Sequence, residues 1–434
     1  EKFSCMETLP VSATKFLYTQ RKTDQLMKLR TPAITSLLII TLTLPHVSAL
    51  SEPVMVGEGK FPSLAQDNRG EYWLVFSNES GLYLMHSSNL LDWSVPKKLP
   101  FSKPNDFDPY MRYYDGRFFI AFVRHKITSP HSLFGFDYDV YLAVGSDEKW
   151  SLIQINNSNF SLDWYPYIYR DPSGKFWMVY SKDFKDGNGS ILVVRFSRDG
   201  VNWSREYPAI PPNALFGSLF YFKDRYWMIY SMYTGNYSIP EIMNLHDLYI
   251  TYSFDGVNWE KAAKLTDTPP HYNFTLYLDA ETDGEYIWVA YTSTVEGNEE
   301  IYLMKSPDGI RWSKPIRLTR NIEYINSMTE PRNFKCDQKD LLINSNRDVV
   351  IAYQSAIYPE KTTLWVVSLK PEINQFDKKI EFNITLSYGN GSEFFKQEKN
   401  EGYQNPEQTS IGILPLICGF IATLAIVSRK RRNI

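Results

Sequence analysis

Cysteine is nearly absent from this 434-residue chain, which holds only Cys5, Cys336 and Cys418. The first and last fall in terminal segments, so Cys336 stands alone in the central region and no disulfide can form within it. Histidine is also scarce, with six in all. No pair has a spacing such as His-x-x-x-His, so a zinc site is not expected, nor is any other cofactor. Charge is close to balanced at −3, which leaves no basic footprint for a nucleic acid. Long apolar runs are missing everywhere except near the two ends.

Those two runs read as export and anchoring signals. Met27, Lys28 and Arg30 lead into a largely apolar stretch from Ile34 to Leu44, followed by the small residues Val47-Ser48-Ala49. This order predicts a signal peptide over 27–49, with 1–26 as an upstream extension. Ile411 to Val427 carries no charge and is followed at once by Arg429-Lys430-Arg431-Arg432. A transmembrane helix over 410–428 is expected, with the basic tail 429–434 in the cytoplasm and the rest of the chain outside the cell membrane. Residues 389–409 are polar and read as a stalk. Nine Asn-x-Ser/Thr triplets would be usable on an exported chain.

Aromatic residues are plentiful, at 15%, and they repeat. One alternating strand recurs as Tyr72 to Phe76, Phe118 to Phe122, Phe176 to Tyr180, Tyr226 to Tyr230, Ile287 to Tyr291 and Val349 to Tyr353. Most copies follow a hairpin-type turn such as Asp115-Gly116 or Ser173-Gly174. Most are also preceded by a marker proline (Pro62, Pro109, Pro166), replaced by Gly217 in the fourth repeat. A third strand follows each. Between the third strand and a short fourth stands Ser-x-Asp-Gly-x-x-Trp, as Ser197 to Trp203, Ser253 to Trp259 and Ser306 to Trp312, with worn copies ending at Trp93 and Trp150. The expected fold is all-β: a six-bladed β-propeller of four-stranded blades over 50–388. The last blade is completed either by Ile380 to Leu386 or, from the N-terminal side, by Pro53 to Val56.

The repeated motif resembles the Asp-box, or BNR repeat, of the sialidase superfamily, over roughly residues 55–370. In such a turn Asp199, Asp255 and Asp308 close the backbone, Gly takes a positive φ, and Trp203, Trp259 and Trp312 pack between strands, so these residues are structural. The resemblance implies a substrate site on the opposite face, around the central channel. The candidate acids and bases there are Asp106, Asp108, Asp163 and Glu330, each next to, or within three residues of, a first-strand proline. Asp108-Pro109 and Glu330-Pro331 are similar to the acid-Pro elements of arabinanase-like enzymes. Lys60, Arg332, Trp164, Tyr165, Arg124 and His246 are the candidate contacts to a carbohydrate or glycoconjugate. The sialidase catalytic set itself is mostly missing. Lys60 stands where its first arginine would be, and Ser80-Gly81 where its acid/base aspartate would be. A lysine cannot make the two-pronged carboxylate contact of an arginine. The resemblance therefore implies a glycoside hydrolase other than a sialidase, or a propeller that binds glycan or protein without catalysis.

Overall fold

In a computed structural model, residues 52–127, 136–146, 149–157, 161–184, 189–210, 212–236, 239, 245–270, 274–296, 299–319, 334–357 and 361–386 are described. The expected signal peptide, stalk and transmembrane helix lie outside them. Among the described residues, no helix is long and apolar enough to cross a membrane.

The described residues form an all-β propeller. Strand β1 (Val54–Glu58) precedes the first blade, which is β2 (Lys60–Gln66), β3 (Tyr72–Asn78), β4 (Gly81–Ser87) and β5 (Lys97–Lys98). An eight-stranded sheet comes next. It consists of two four-stranded meanders: β6 (Asp106–Tyr114), β7 (Arg117–Ile127), β8 (Phe136–Ser146) and β9 (Lys149–Gln154), then β10 (Ser161–Arg170), β11 (Phe176–Phe184), β12 (Ser190–Ser197) and β13 (Tyr207–Ile210). Among the described residues, the strand pairing that joins the two meanders is the parallel pair Leu162↔Tyr138. Separate four-stranded sheets follow. One is β14 (Ala214–Phe222), β15 (Arg225–Tyr233), β16 (His246–Ser253) and β17 (Ala263–Lys264). The other holds β18 (Thr275–Thr282), β19 (Ile287–Ser293) and β20 (Glu300–Ser306); β21 (Arg311–Trp312) lies outside it, and β22 (Ile316–Arg317) is its fourth strand. The final sheet contains β23 (Phe334–Ile343), β24 (Val349–Ile357) and β25 (Lys361–Leu369).

This last sheet takes its fourth strand from the opposite end of the chain. β1 pairs with β25 through Val54↔Val366 and Met55↔Trp365, so the N-terminal strand closes the ring. Of the two closures open from the sequence, this is the one observed. Residues 380–386 run elsewhere: β26 (Lys378–Lys379) pairs with β21, and Ile384 bridges Ala262.

Packing follows the repeat. Apolar faces of neighbouring sheets meet, as where Trp227, Ile229 and Ile250 pack with Ala280, Val289 and Tyr291. At about 25 cal/mol per Å² of apolar surface removed from water, such contacts drive the ring together. The Ser-x-Asp-Gly turns supply specific joints. Asp255 Oδ1 accepts N–H bonds from Val257 and Asn258 at 2.8 and 2.7 Å, and Asp199 and Asp308 do the same in their own turns. Gly256 has φ +80, and a Cβ there would lie 2.3 Å from Trp177 in the preceding blade; Gly309 stands in the same relation to Trp227. Trp312 is fully buried, whereas Trp203 and Trp259 are half-buried.

Candidate active site at the propeller axis

Near the start of five first strands the chain does the same unusual thing. Phe61, Asp108, Tyr165, Phe216 and Tyr277 all have φ between 46° and 54°. Each lies where the pairing register of its strand slips, for example between Phe107 and Tyr110. A non-glycine residue in this left-handed region is strained and needs its surroundings to hold it there. The bulges turn these side chains toward the axis, where they line one cavity with Tyr110, Tyr167, Ser218, Asp279 and Asp340. It encloses about 570 Å³, counted out to its open mouth.

Three carboxylates line this cavity. Asp108 accepts the Tyr165 N–H at Oδ2, 2.8 Å away. Burial pushes its carboxyl up to about 7, against the lowering effect of that bond. Asp279 and Asp340 form the floor, almost wholly shielded from water. Asp279 Oδ1 accepts bonds from Ser218 Oγ at 3.0 Å and the Ala280 N–H at 2.8 Å, and Oδ2 accepts the Leu341 N–H at 2.8 Å. Asp340 Oδ2 accepts from Ser63 Oγ at 2.7 Å and from Arg112 Nη1 at 3.2 Å. Burial, and then the charge of Asp340, push Asp279 well above the ordinary carboxylate range. Like charges this close oppose each other's ionisation, and Arg112 faces both of them.

Arg112 ties the floor together. It contacts Asp340, reaches Asp279 at 3.6 Å and Glu281 at 3.7 Å, and donates to the Tyr110 hydroxyl and the Leu341 carbonyl. Burial works against its charge, and the carboxylates of Asp340, Glu281 and Asp279 hold it on. This guanidinium is committed to protein. Among the described residues, those that line the cavity contribute aspartates and no lysine or arginine. Among the described residues, no group of three or more His, Cys, Asp or Glu is arranged to hold a metal ion.

Of the residues expected from sequence, Asp108 and Tyr165 line the cavity. Asp106 does not. Both its oxygens are taken by Arg124, at 2.9 and 2.8 Å, and the Lys103 N–H adds a third bond. That ion pair braces the start of β6 against β7, so Asp106 and Arg124 hold each other rather than a ligand. Asp163 is buried beside Asn156 and Lys182, the latter 3.8 Å away, and burial followed by the opposing Lys182 charge leaves it at about 7. Neither it nor Trp164 lines the cavity; Trp164 stacks on Tyr165 with ring centroids 4.9 Å apart. Lys60 stands one residue before the lining residue Phe61, and His246 packs its ring against Tyr233, 5.2 Å away. Glu330 and Arg332 lie outside the described residues. Sequence reasoning missed Asp279, Asp340 and Arg112. Each stands two to four residues past its bulge, deeper in its first strand, where the search for residues at strand starts stopped short.

Fold and site together define a β-propeller with an acidic, aromatic-walled cavity at its axis. No family model and no curated protein sequence matches the chain. Solved structures do. A protein of unknown function from Dyadobacter fermentans superposes with a TM-score of 0.54 at 14% identity, covering 75% of this chain and 100% of that one. The α-L-arabinanase of Penicillium chrysogenum, complexed with arabinobiose, gives 0.51 at 14% identity, again over 75% and 100%. The sialidase of Trypanosoma rangeli, complexed with sialic acid, gives 0.51 at 11% identity, over 72% of this chain and 54% of that one. At such identities the likeness establishes the propeller fold.

Proposed function

We propose that this chain is an exported glycoside hydrolase, a six-bladed propeller of the Asp-box type held at the cell surface by its C-terminal apolar segment. Counting the eight-stranded sheet as two blades gives the six, and the bonded Ser-x-Asp-Gly turns support the Asp-box reading. The observation that carries the enzymatic reading is the convergence of Asp108, Asp279 and Asp340 on one aromatic-walled cavity, with Asp108 poised to hold or release a proton near neutral pH. Asp108 in its acid form donates its proton to the leaving oxygen. The floor carboxylates oppose the positive charge that grows on the sugar in the oxocarbenium-like transition state, and one of them takes the proton of the incoming water. Phe61, Tyr165, Phe216 and Tyr277 offer ring faces for a sugar.

The acidity of the lining bears on the substrate. A sugar carboxylate would be opposed by Asp108, Asp279 and Asp340, which favours glycans without one. The likeness to an arabinanase is in keeping with this, and the likeness to a sialidase extends to the fold and not to its acidic ligand. The test is a panel of neutral and acidic glycosides presented to the wild-type protein and to Asp108→Asn. Cleavage of a neutral glycoside by the wild type, lost in the variant, supports the proposal; cleavage of sialosides would overturn the substrate reading.

One observation favours a second reading, a propeller that binds neutral glycan without cutting it. Asp279 and Asp340 are saturated by protein donors, as members of a structural ion cluster would be. Saturable binding of an oligosaccharide with no cleavage of any substrate would select that reading.

A further inference from the structure

We propose that the face of the propeller carrying the Ser-x-Asp-Gly turns seats on the lipid bilayer, with the cavity pointing away from it. The inference rests on the anchoring read from the sequence and adds an orientation that the anchor alone does not specify.

Three observations converge. The first is where the chain leaves the propeller. After β25 it crosses the turn face: Lys378 pairs with Trp312, the Ile380 N–H bonds the Ile310 carbonyl at 3.0 Å, and Ile384 bridges Ala262. Leu386, the last described residue, packs in one cluster with Val257 and Trp259 of the fourth-blade turn. The chain therefore exits beside the turns. The cavity is formed near the starts of first strands, at the other end of the blades.

The second observation is distance. Residues 387–410 separate Leu386 from the apolar run Ile411 to Val427. At a maximum of about 3.3–3.6 Å per residue, a segment of this length limits how far the exit point can lie from that run. A tether of bounded length makes the exit-side face the one presented to the membrane.

The third is composition. Nine large apolar side chains are conspicuously exposed among the described residues, and five of them, Leu91, Val95, Val201, Phe254 and Ile310, stand between third and fourth strands on this face. Exposure is 64% at Leu91, 88% at Val95, 56% at Val201 and 66% at Phe254. Single exposed apolar residues are ordinary. A set repeated in four blades around the exit point of the chain presents a shallow apolar rim suited to the interfacial region of a bilayer.

The test is hydroxyl-radical footprinting of the full chain reconstituted in phosphatidylcholine nanodiscs. Ile239 and Val295, exposed 43% and 39% between second and third strands, serve as internal references on the cavity face. Protection of Val95, Val201 and Phe254 relative to those two is the expected result, at least fivefold, despite their greater exposure. The double variant Leu91→Asp/Phe254→Asp, with an unchanged melting temperature, should restore labelling at Val201. If the chain incorporates but these turns label faster than Ile239 and Val295, the seating is wrong and the anchor stands. If the chain fails to incorporate, the anchoring itself is wrong and the seating falls with it.

Discussion

Asp108 combines a strained backbone, a half-buried carboxyl and a place in the cavity wall, and each property makes a separate prediction. As the general acid it works in its protonated form, so activity should fall as pH rises through about 7. Asp108→Asn should remove that limb of the pH profile and cost 10²- to 10⁴-fold on substrates with poor leaving groups, with far less loss on aryl glycosides that need no protonation. Stability should move the other way. The folded carboxyl binds its proton up to about 7 and the unfolded one only to about 3.8, so the contribution of this group to stability is full below pH 4 and is lost as pH rises through 4 to 7. Asp108→Asn should therefore melt higher than wild type at pH 8 and no higher at pH 4. The floor pair gives a contrast. Asp340 lies 3.2 Å from Arg112 and Asp279 3.6 Å, so Asp340→Asn strips Arg112 of its closest counter-ion. Breaking a buried pair costs about 3–5 kcal/mol, and urea titration should place the larger loss in the Asp340 variant. The Asp108-Pro109 step was legible as a site from sequence because it sits beside a marker proline. Asp279 has no such neighbour, since Leu278 follows the bulge there, and apart from the adjacent Ala280 N–H its partners lie 61 or more residues away.

Turns divide into two kinds at the level of the element, and the sequence disclosed one of them. Ser-x-Asp-Gly-x-x-Trp was readable because Asp and Gly meet local needs: a carboxylate to cap two N–H groups and a residue free to take positive φ. The reason the glycine must also lack a side chain is tertiary, since Trp177 and Trp227 of the preceding blades fill the space beside Gly256 and Gly309. Gly284 has the same sign of φ and open space around it. Gly256→Ala should therefore destabilise clearly more than Gly284→Ala, by about 1–3 kcal/mol beyond the shared backbone cost, as thermal unfolding of the two variants would measure. The second kind was read only as a hairpin turn, and its bond to a tryptophan was not. Asp67, Asp171 and Asp283 each close the turn between first and second strands and accept the indole N–H of Trp73, Trp177 and Trp288. Asp and Trp stand five or six residues apart there, with varied residues between, so the pairing shows only when the hairpin is built.

Closure governs the whole molecule. β1 completes the last sheet, and the Asp279–Arg112–Asp340 cluster links strands from different blades across the axis. Deleting residues 52–58 should leave β25 with an open edge and abolish a single cooperative unfolding transition, while deleting 387–434 should leave the melting temperature within a few degrees of the full chain; calorimetry distinguishes the two. Repetition made the all-β propeller visible in sequence, because alternating strands, turn residues and their spacing are local and recur. The closure was not decidable there, since both end segments alternate and only the docking of 378–386 onto the turns of other blades frees the last sheet for β1. The same holds for the cavity. Sequence alone determined that acidic residues gather near the starts of first strands, because the marker prolines flag those starts. Tertiary structure alone decided which acids share the axis and which are spent in ion pairs: burial, charge and counter-charge are set by neighbours distant in the chain, so Asp106 is locked by Arg124 while Asp108, two residues on, faces the cavity.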